Sequence, residues 1–221
     1  MPISEIVTPA PSRGFTTADA VRVRVDGACS VPDEILAQQI ESWSLRLEAL
    51  IGRTLARERV KQVDHGVALG VILAERRPII EVHSIAVGDD ELEQDRYSVE
   101  SPGGGLIRIE NTYDVRSYLL GDSTPGLAHN RQSVRYTTDF TAGYVLPGWP
   151  ADPWGPRTLP VDIEEAVIEA MSLQFGPARM AAAGVKSERL GDWSASYSDT
   201  ISQTGAPTSF ATIAAQYRSA F

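Results

Sequence analysis

Apolar positions change period twice along this chain. Leu36, Ile40, Trp43, Leu47 and Leu50 or Ile51 recur at spacings of three and four, which puts their side chains on one face of a helix. Pro32 stands where a first helical turn tolerates it, Asp33 and Glu34 lie at the positive end of the helix dipole, and Gly52 is the expected stop. The spacing predicts a helix over 31–51. From 57 to 144 the period falls to two. Val67, Leu69, Val71 and Leu73 alternate with smaller residues, and Ile80 and Val82 alternate with Glu81 and His83. Ile85 and Val87 then fall on the opposite parity, a slip that predicts a bulge near His83-Ser84. Gly88-Asp89-Asp90 reads as a turn, and residues 101–105 read as the loop of a hairpin joining 97–100 to 106–110. A polar, poorly patterned excursion over 111–132 precedes a last strand with Val134, Tyr136, Thr138 and Phe140 on one face. The helical period returns over 161–175, where Ile163, Ala166, Val167, Ala170, Met171 and Gln174 share a side. Asp162 and Glu165 have the spacing of a capping box, and Gly176-Pro177 ends the run.

Between and beyond these stretches the pattern weakens. Residues 1–14 carry Pro2, Pro9, Pro11 and Gly14 without periodicity and read as a flexible arm. Residues 16–26 leave two readings open. Val21, Val23 and Val25 alternating with Arg22 and Arg24 is a strand pattern, whereas Thr16 or Thr17 ahead of Ala18-Asp19-Ala20 is a helix start. Five prolines in 145–160, beside Trp149 and Trp154, argue against helix or interior strand there. After a short alanine-rich turn at 179–183, a last candidate helix over 208–219 carries Phe210, Ile213, Ala214 and Tyr217 on one side. Helices flanking a strand-rich stretch predict an α+β fold.

Composition narrows the function. At 221 residues the chain can bury a core without a disulfide or metal staple, and Cys29, the single cysteine, has no internal partner. The net charge is −9, and Lys61 and Lys186 are the only lysines. Gripping nucleic acid by its backbone needs clustered cations, so that class is excluded; an acidic surface instead lets DNA slide past. No apolar run approaches the ~20 residues of a membrane span. The opening residues lack a secretory signal, so a soluble protein made in the cytosol is expected.

Candidate chemistry is sparse. Gly121-Asp122-Ser123 has the look of a nucleophile fragment but lacks an elbow pattern and reads as a loop. His65, His83 and His129 have no ligand spacing, so no metal or cofactor is expected. Glu165 and Glu169 share a helix face with Asp162 and Glu164 nearby, a solvated acidic face or a dock for a basic partner. Trp149 and Trp154 would pin their loop or, in a rival reading, form a carbohydrate-binding platform; a hydrolase using acidic residues is a further rival. Trp193 and Tyr197 stand in a polar tail with no core pattern, as interface anchors do.

In order and spacing the chain resembles the head–tail connector (adaptor, or head completion) proteins of tailed bacteriophages and phage-derived gene transfer agents. The matching pieces are the 17–26 entry segment, Leu50-Ile51-Gly52-Arg53-Thr54-Leu55 and Arg77-Pro78-Ile79-Ile80-Glu81-Val82. Tyr97-Ser98-Val99 leading to Gly105-Leu106-Ile107-Arg108-Ile109 follows, then Val134-Arg135-Tyr136-Thr137 leading to Thr141-Ala142-Gly143-Tyr144. Leu159-Pro160-Val161-Asp162-Ile163-Glu164-Glu165-Ala166-Val167 and the 191–197 tail complete the match over about residues 15–200. The resemblance implies a helical entry segment and a small helical bundle over 15–176 with a β insertion at 57–144 and a proline-tryptophan loop at 145–160. It also implies a 177–221 extension for partner docking. By the same resemblance the protein is not an enzyme but a virion protein of the neck, assembled in the bacterial host cytoplasm. It would form a ring, in the family a dodecamer, beneath the portal protein, contact a tail-side stopper or tail terminator, and let DNA pass without specific binding. The expected portal anchors are Trp193, Tyr197, Phe210, Tyr217 and Phe221. The expected subunit seam is Leu36, Ile40, Trp43 and Leu47.

Overall fold

The computed structural model describes residues 3–65, 70–110, 135–175, 187–190, 193–196 and 207–218. The expectations for Val67, Leu69, the 111–132 excursion with Gly121-Asp122-Ser123 and His129, Val134 and the 179–183 turn lie outside the described residues. The chain divides into two compact units that interleave in sequence. A sheet unit comprises Met1–Ala10 and Leu55–Gly143; a helical unit comprises Pro11–Thr54 and Tyr144–Phe221. Helices and antiparallel sheets together make an α+β protein, as the periodicities predict.

In the sheet unit, β1 (Ile3–Thr8), β2 (Glu58–His65), β8 (Arg135–Ala142), β4 (Ile79–Val87) and β5 (Asp90–Glu91) form a five-stranded antiparallel sheet in that spatial order. A second sheet orders β3 (Val71–Leu73), β7 (Leu106–Ile109) and β6 (Tyr97–Ser101). Val60, Ile72, Ile79, Ile85, Ile107, Tyr136 and Phe140 belong to one buried cluster. The register of β4 on β8 shifts between Val82 and Ser84, where the parity slip predicts a bulge, and again between Ile79 and Glu81. The earlier shift corrects one face assignment: Ile79 is buried and Ile80 points out. In β3 the buried residue is likewise Ile72, and Leu73 is exposed, opposite to the expected parity. Short apolar runs carry too few alternations to fix which parity faces in. Gly143 ends β8 at φ 105°, and a Cβ there would lie 2.5 Å from the Ala56 carbonyl oxygen. Only glycine fits that close approach.

Residues 3–8 correct the expected flexible arm. β1 pairs antiparallel with β2, Ile3 opposite Val63 and Ile6 opposite Val60. The prolines that suggested a loop fall outside the strand, at positions 2, 9 and 11.

In the helical unit, α1 (Ala18–Arg24) settles the ambiguous entry segment as helix. The Thr17 side chain accepts from the Ala20 N–H at 3.2 Å, an N-cap that satisfies one orphan donor. Val21 and Val25, four apart, are buried, while Val23 is 86% exposed; a strand would have put all three on one face. α2 (Asp33–Ile51) buries Leu36, Ile40, Leu47 and Ile51 and stops at Gly52, whose φ is 82°. Its buried Ser44 accepts from the Phe15 N–H at 2.9 Å and donates to the Ile40 carbonyl at 2.7 Å, so no polar atom of that side chain is stranded. The proline-tryptophan loop contains one helical turn, α3 (Ala151–Trp154). This corrects the exclusion of helix there: Pro153 falls in the first turn, where N–H groups have no intrahelical acceptor. α4 (Val161–Phe175) and α5 (Thr208–Arg218) follow, separated by the hairpin β9 (Ser187–Leu190) and β10 (Trp193–Ser196).

Candidate assembly site

The expected seam residues lie inside the helical unit. Leu36, Ile40 and Leu47 are 0%, 3% and 0% exposed, and Leu36 and Ile40 share a core with Val21, Val25, Ile168 and Met171. Trp43 is half-buried. Its indole N–H donates to Gln174 at 2.9 Å, and its ring meets Phe210 edge-on at 5.8 Å. The internal bundle occupies this stripe, so any surface that α2 offers a neighbour comes from its other side. There Ile35 and Leu45 are 46% and 42% exposed. Two such isolated positions set up no period, which is why the dominant stripe masks them.

Two of the expected tail anchors are internal as well. Phe210 is fully buried in α5, with Ile213 and Ala214 beside it in the core. The Tyr217 hydroxyl donates to both carboxylate oxygens of Asp162, at 2.9 and 3.0 Å. Arg218 donates to the Leu50 carbonyl. α5 therefore closes over α2 and α4 of its own unit rather than standing ready for a partner. Trp193 is the first residue of β10, paired with Leu190 across the hairpin. Tyr197 and Phe221 lie outside the described residues.

The acidic helix is not a free carboxylate face. Glu164 is buried, accepts from the Thr16 hydroxyl at 3.0 Å and pairs with Arg157 at 2.5 Å. Glu165, expected to complete a capping box, pairs with Arg24 at 2.5 Å, and Asp162 serves Tyr217. Burial pushes the Tyr217 hydroxyl's pKa well up, and the Asp162 hydrogen bond adds to the rise. Nearby, burial lowers the pKa of Arg53, whose Nε and Nη1 meet no hydrogen-bond partner among the described residues. Burial raises that of Tyr144. Sequence spacing gave no hint of this Arg53–Tyr144–Asp162–Tyr217 group, because its members come from four separate segments.

Trp149 and Trp154 pack against each other with ring centres 4.9 Å apart at 62°, and the Trp149 indole N–H donates to the Ser12 hydroxyl at 2.9 Å. They pin the loop to its own unit instead of presenting a row of open rings. In the sheet unit a cavity of about 590 Å³ is lined by Glu81, His83, Glu91, Glu93 and Tyr97, an acidic notch beside β4. Among the described residues no group of three or more His, Cys, Asp or Glu could hold a metal ion, and no helix is long and apolar enough to cross a membrane.

A helical unit interleaved with an antiparallel sheet unit defines the class of fold. No protein-family model matches the sequence, and no curated protein does. Several solved chains share the fold, two of them from gene transfer agent particles. One is a chain of the "Virion of native gene transfer agent (GTA) particle", with a TM-score of 0.51 and 16% identity, over 78% of this chain and 83% of that one. The other, a chain of the "Neck of empty GTA particle computed with C6 symmetry", gives a TM-score of 0.52 with the same identity and coverage.

Proposed function

We propose that this chain is a structural virion protein of the neck, an adaptor that forms a ring beneath the portal protein and joins it to the next neck or tail protein. The observation that carries the reading is the fold held in common with a chain of a gene transfer agent neck over most of both molecules. That neck was computed with C6 symmetry, with which a ring of twelve copies is compatible. The net charge of −9 suits a channel wall that repels the DNA backbone and lets it pass. Asp162, Glu164 and Glu165 of α4, carboxylates that acid–base chemistry would use, are instead engaged by Tyr217, Thr16, Arg157 and Arg24, consistent with a protein that works by contact.

Portal docking on this reading falls to the β9–β10 hairpin and its Trp193, since Phe210 and Tyr217 hold the helical unit together. Cutting the chain at Gly191 would also remove α5 and strip its cover from α2, so loss of binding there would be ambiguous. A point substitution separates the two effects. Trp193→Ser is expected to keep the wild-type melting temperature and to lose capture of a purified portal complex in a pull-down. Capture equal to wild type would remove the hairpin from the docking surface.

A further inference from the structure

β1 is an edge strand that contributes little to the core of its sheet. All six of its residues are exposed. Ser4 and Ile6 stand opposite Gln62 and Val60, which are buried, yet Ile6 keeps 44% of its surface; Ile3 and Val7 keep 67% and 48%. What holds the strand is the backbone ladder to β2, with Glu5 directly opposite Lys61. The connection is unusual too. Pro9, Ala10 and Pro11 lead from β1 into the helical unit, and the chain returns to the sheet unit only at Leu55. No short turn ties β1 to β2, so the strand is delivered to its sheet from the other unit. A sheet edge accepts a strand by backbone hydrogen bonds and register. The β2 edge of any copy of this chain offers the same ones.

Resting on the ring reading above, we infer that Ile3–Thr8 of one copy pairs with β2 of the next in the assembled state, so that strand exchange links the subunits. The occupant of the vacated edge is a second copy because β2 matches β1 residue for residue over Val60–Val63 and, past a register shift at Val7, again at Arg59 opposite Thr8. Exchange preserves the Glu5–Lys61 opposition and the Ile6–Val60 contact, so the closed and exchanged forms differ little in contacts, the condition under which domain swapping is cheap. Prolines on either side of Ala10 restrict the connector and favour an extended path. An arm from one copy on an edge of the next is a head-to-tail contact, the kind that closes into a ring.

The test uses the full chain with Cys29→Ser, because Cys29 is exposed and free, carrying Glu5→Cys and Lys61→Cys. Directly opposed positions on antiparallel strands lie within disulfide reach. Oxidation of dilute monomer is expected to give a chain of monomer size on a non-reducing gel. Oxidation of protein that sediments as rings, alone or on portal complex, is expected to give a ladder of covalent multimers. Rings mixed from chains with Glu5→Cys alone and Lys61→Cys alone are expected to give a covalent dimer. Rings that yield only the intrachain bond and no mixed dimer would overturn strand exchange and leave the adaptor reading standing. A chain that stays monomeric alone and with portal would count against both.

Discussion

Tyr217 and Asp139 show how single contacts hold each unit. Tyr217 is held neutral by burial and by Asp162, so its pKa in the fold lies above the unfolded value near 10. Its contribution is complete below about pH 10 and is lost as pH rises toward the folded value. Tyr217→Phe is expected to cost about 1 kcal/mol near neutral pH, a charge-assisted hydrogen bond discounted for partial exposure. It should also lose less stability than wild type above about pH 10; urea midpoints across pH check both. In the sheet unit, Asp139 accepts two hydrogen bonds from Arg59, each 2.8 Å. That bonding, with the opposite charge, holds the Asp139 carboxyl below its ordinary pKa. Its stabilisation is therefore present above about pH 4 and disappears as pH falls through the folded value. Asp139→Asn should lower stability by about 1 kcal/mol at neutral pH, because Arg59 is partly solvated, and should flatten the acid limb of the curve. Neither pairing was legible beforehand. Periodicity reports which face is apolar, not which side chain a distant carboxylate will meet.

Among the elements, α5 changes most in meaning between sequence and structure. Its apolar stripe of Phe210, Ile213, Ala214 and Tyr217 was legible as a helix face, but a stripe looks the same whether it covers a partner or its own chain. Trp43 edge-on to Phe210 decides for the second. Phe210→Ala is expected to cost about 3–5 kcal/mol, as truncation of a buried aromatic does. Hydrogen exchange should show amides of α5 losing protection, with Trp43 fluorescence shifting to the red. Unchanged protection in α5 would mean that the helix is held by something other than its buried face. Other elements were readable because a local rule fixed them. The Thr17 cap with Val21 and Val25 identified α1 once burial chose between two patterns, Gly52 stopped α2, and the parity slip located a β4 bulge. β1 escaped because its six residues lie between prolines and bury almost nothing, so no hydrophobic period marked it.

On the proposed function, the whole molecule would join copies and neighbours. Two units alternate along one chain, so that a strand from the first ten residues and a block from 55 to 143 make one sheet unit. The sequence order of helix, strands and helix foretold the α+β class. It did not foretell that the opening strand crosses back, because pairing across residues 11–54 leaves no local trace. The exposed apolar residues Ile35 and Leu45 on α2 mark the side on which the proposed ring would be packed. Replacing Leu45 by Glu should leave the melting temperature within ~2 °C, since surface changes of this kind are typically within about 0.5 kcal/mol. It should also shift sedimentation from rings toward monomer; unchanged rings would exclude that face. The adaptor reading itself meets its most direct test in electron microscopy of portal-bearing particles from the cell that encodes this chain, with the chain labelled by a bound antibody fragment. The account predicts label density in a ring at the vertex, between the portal and the tail. Intact tailed particles with no label there, and the chain absent from their protein content, would contradict it.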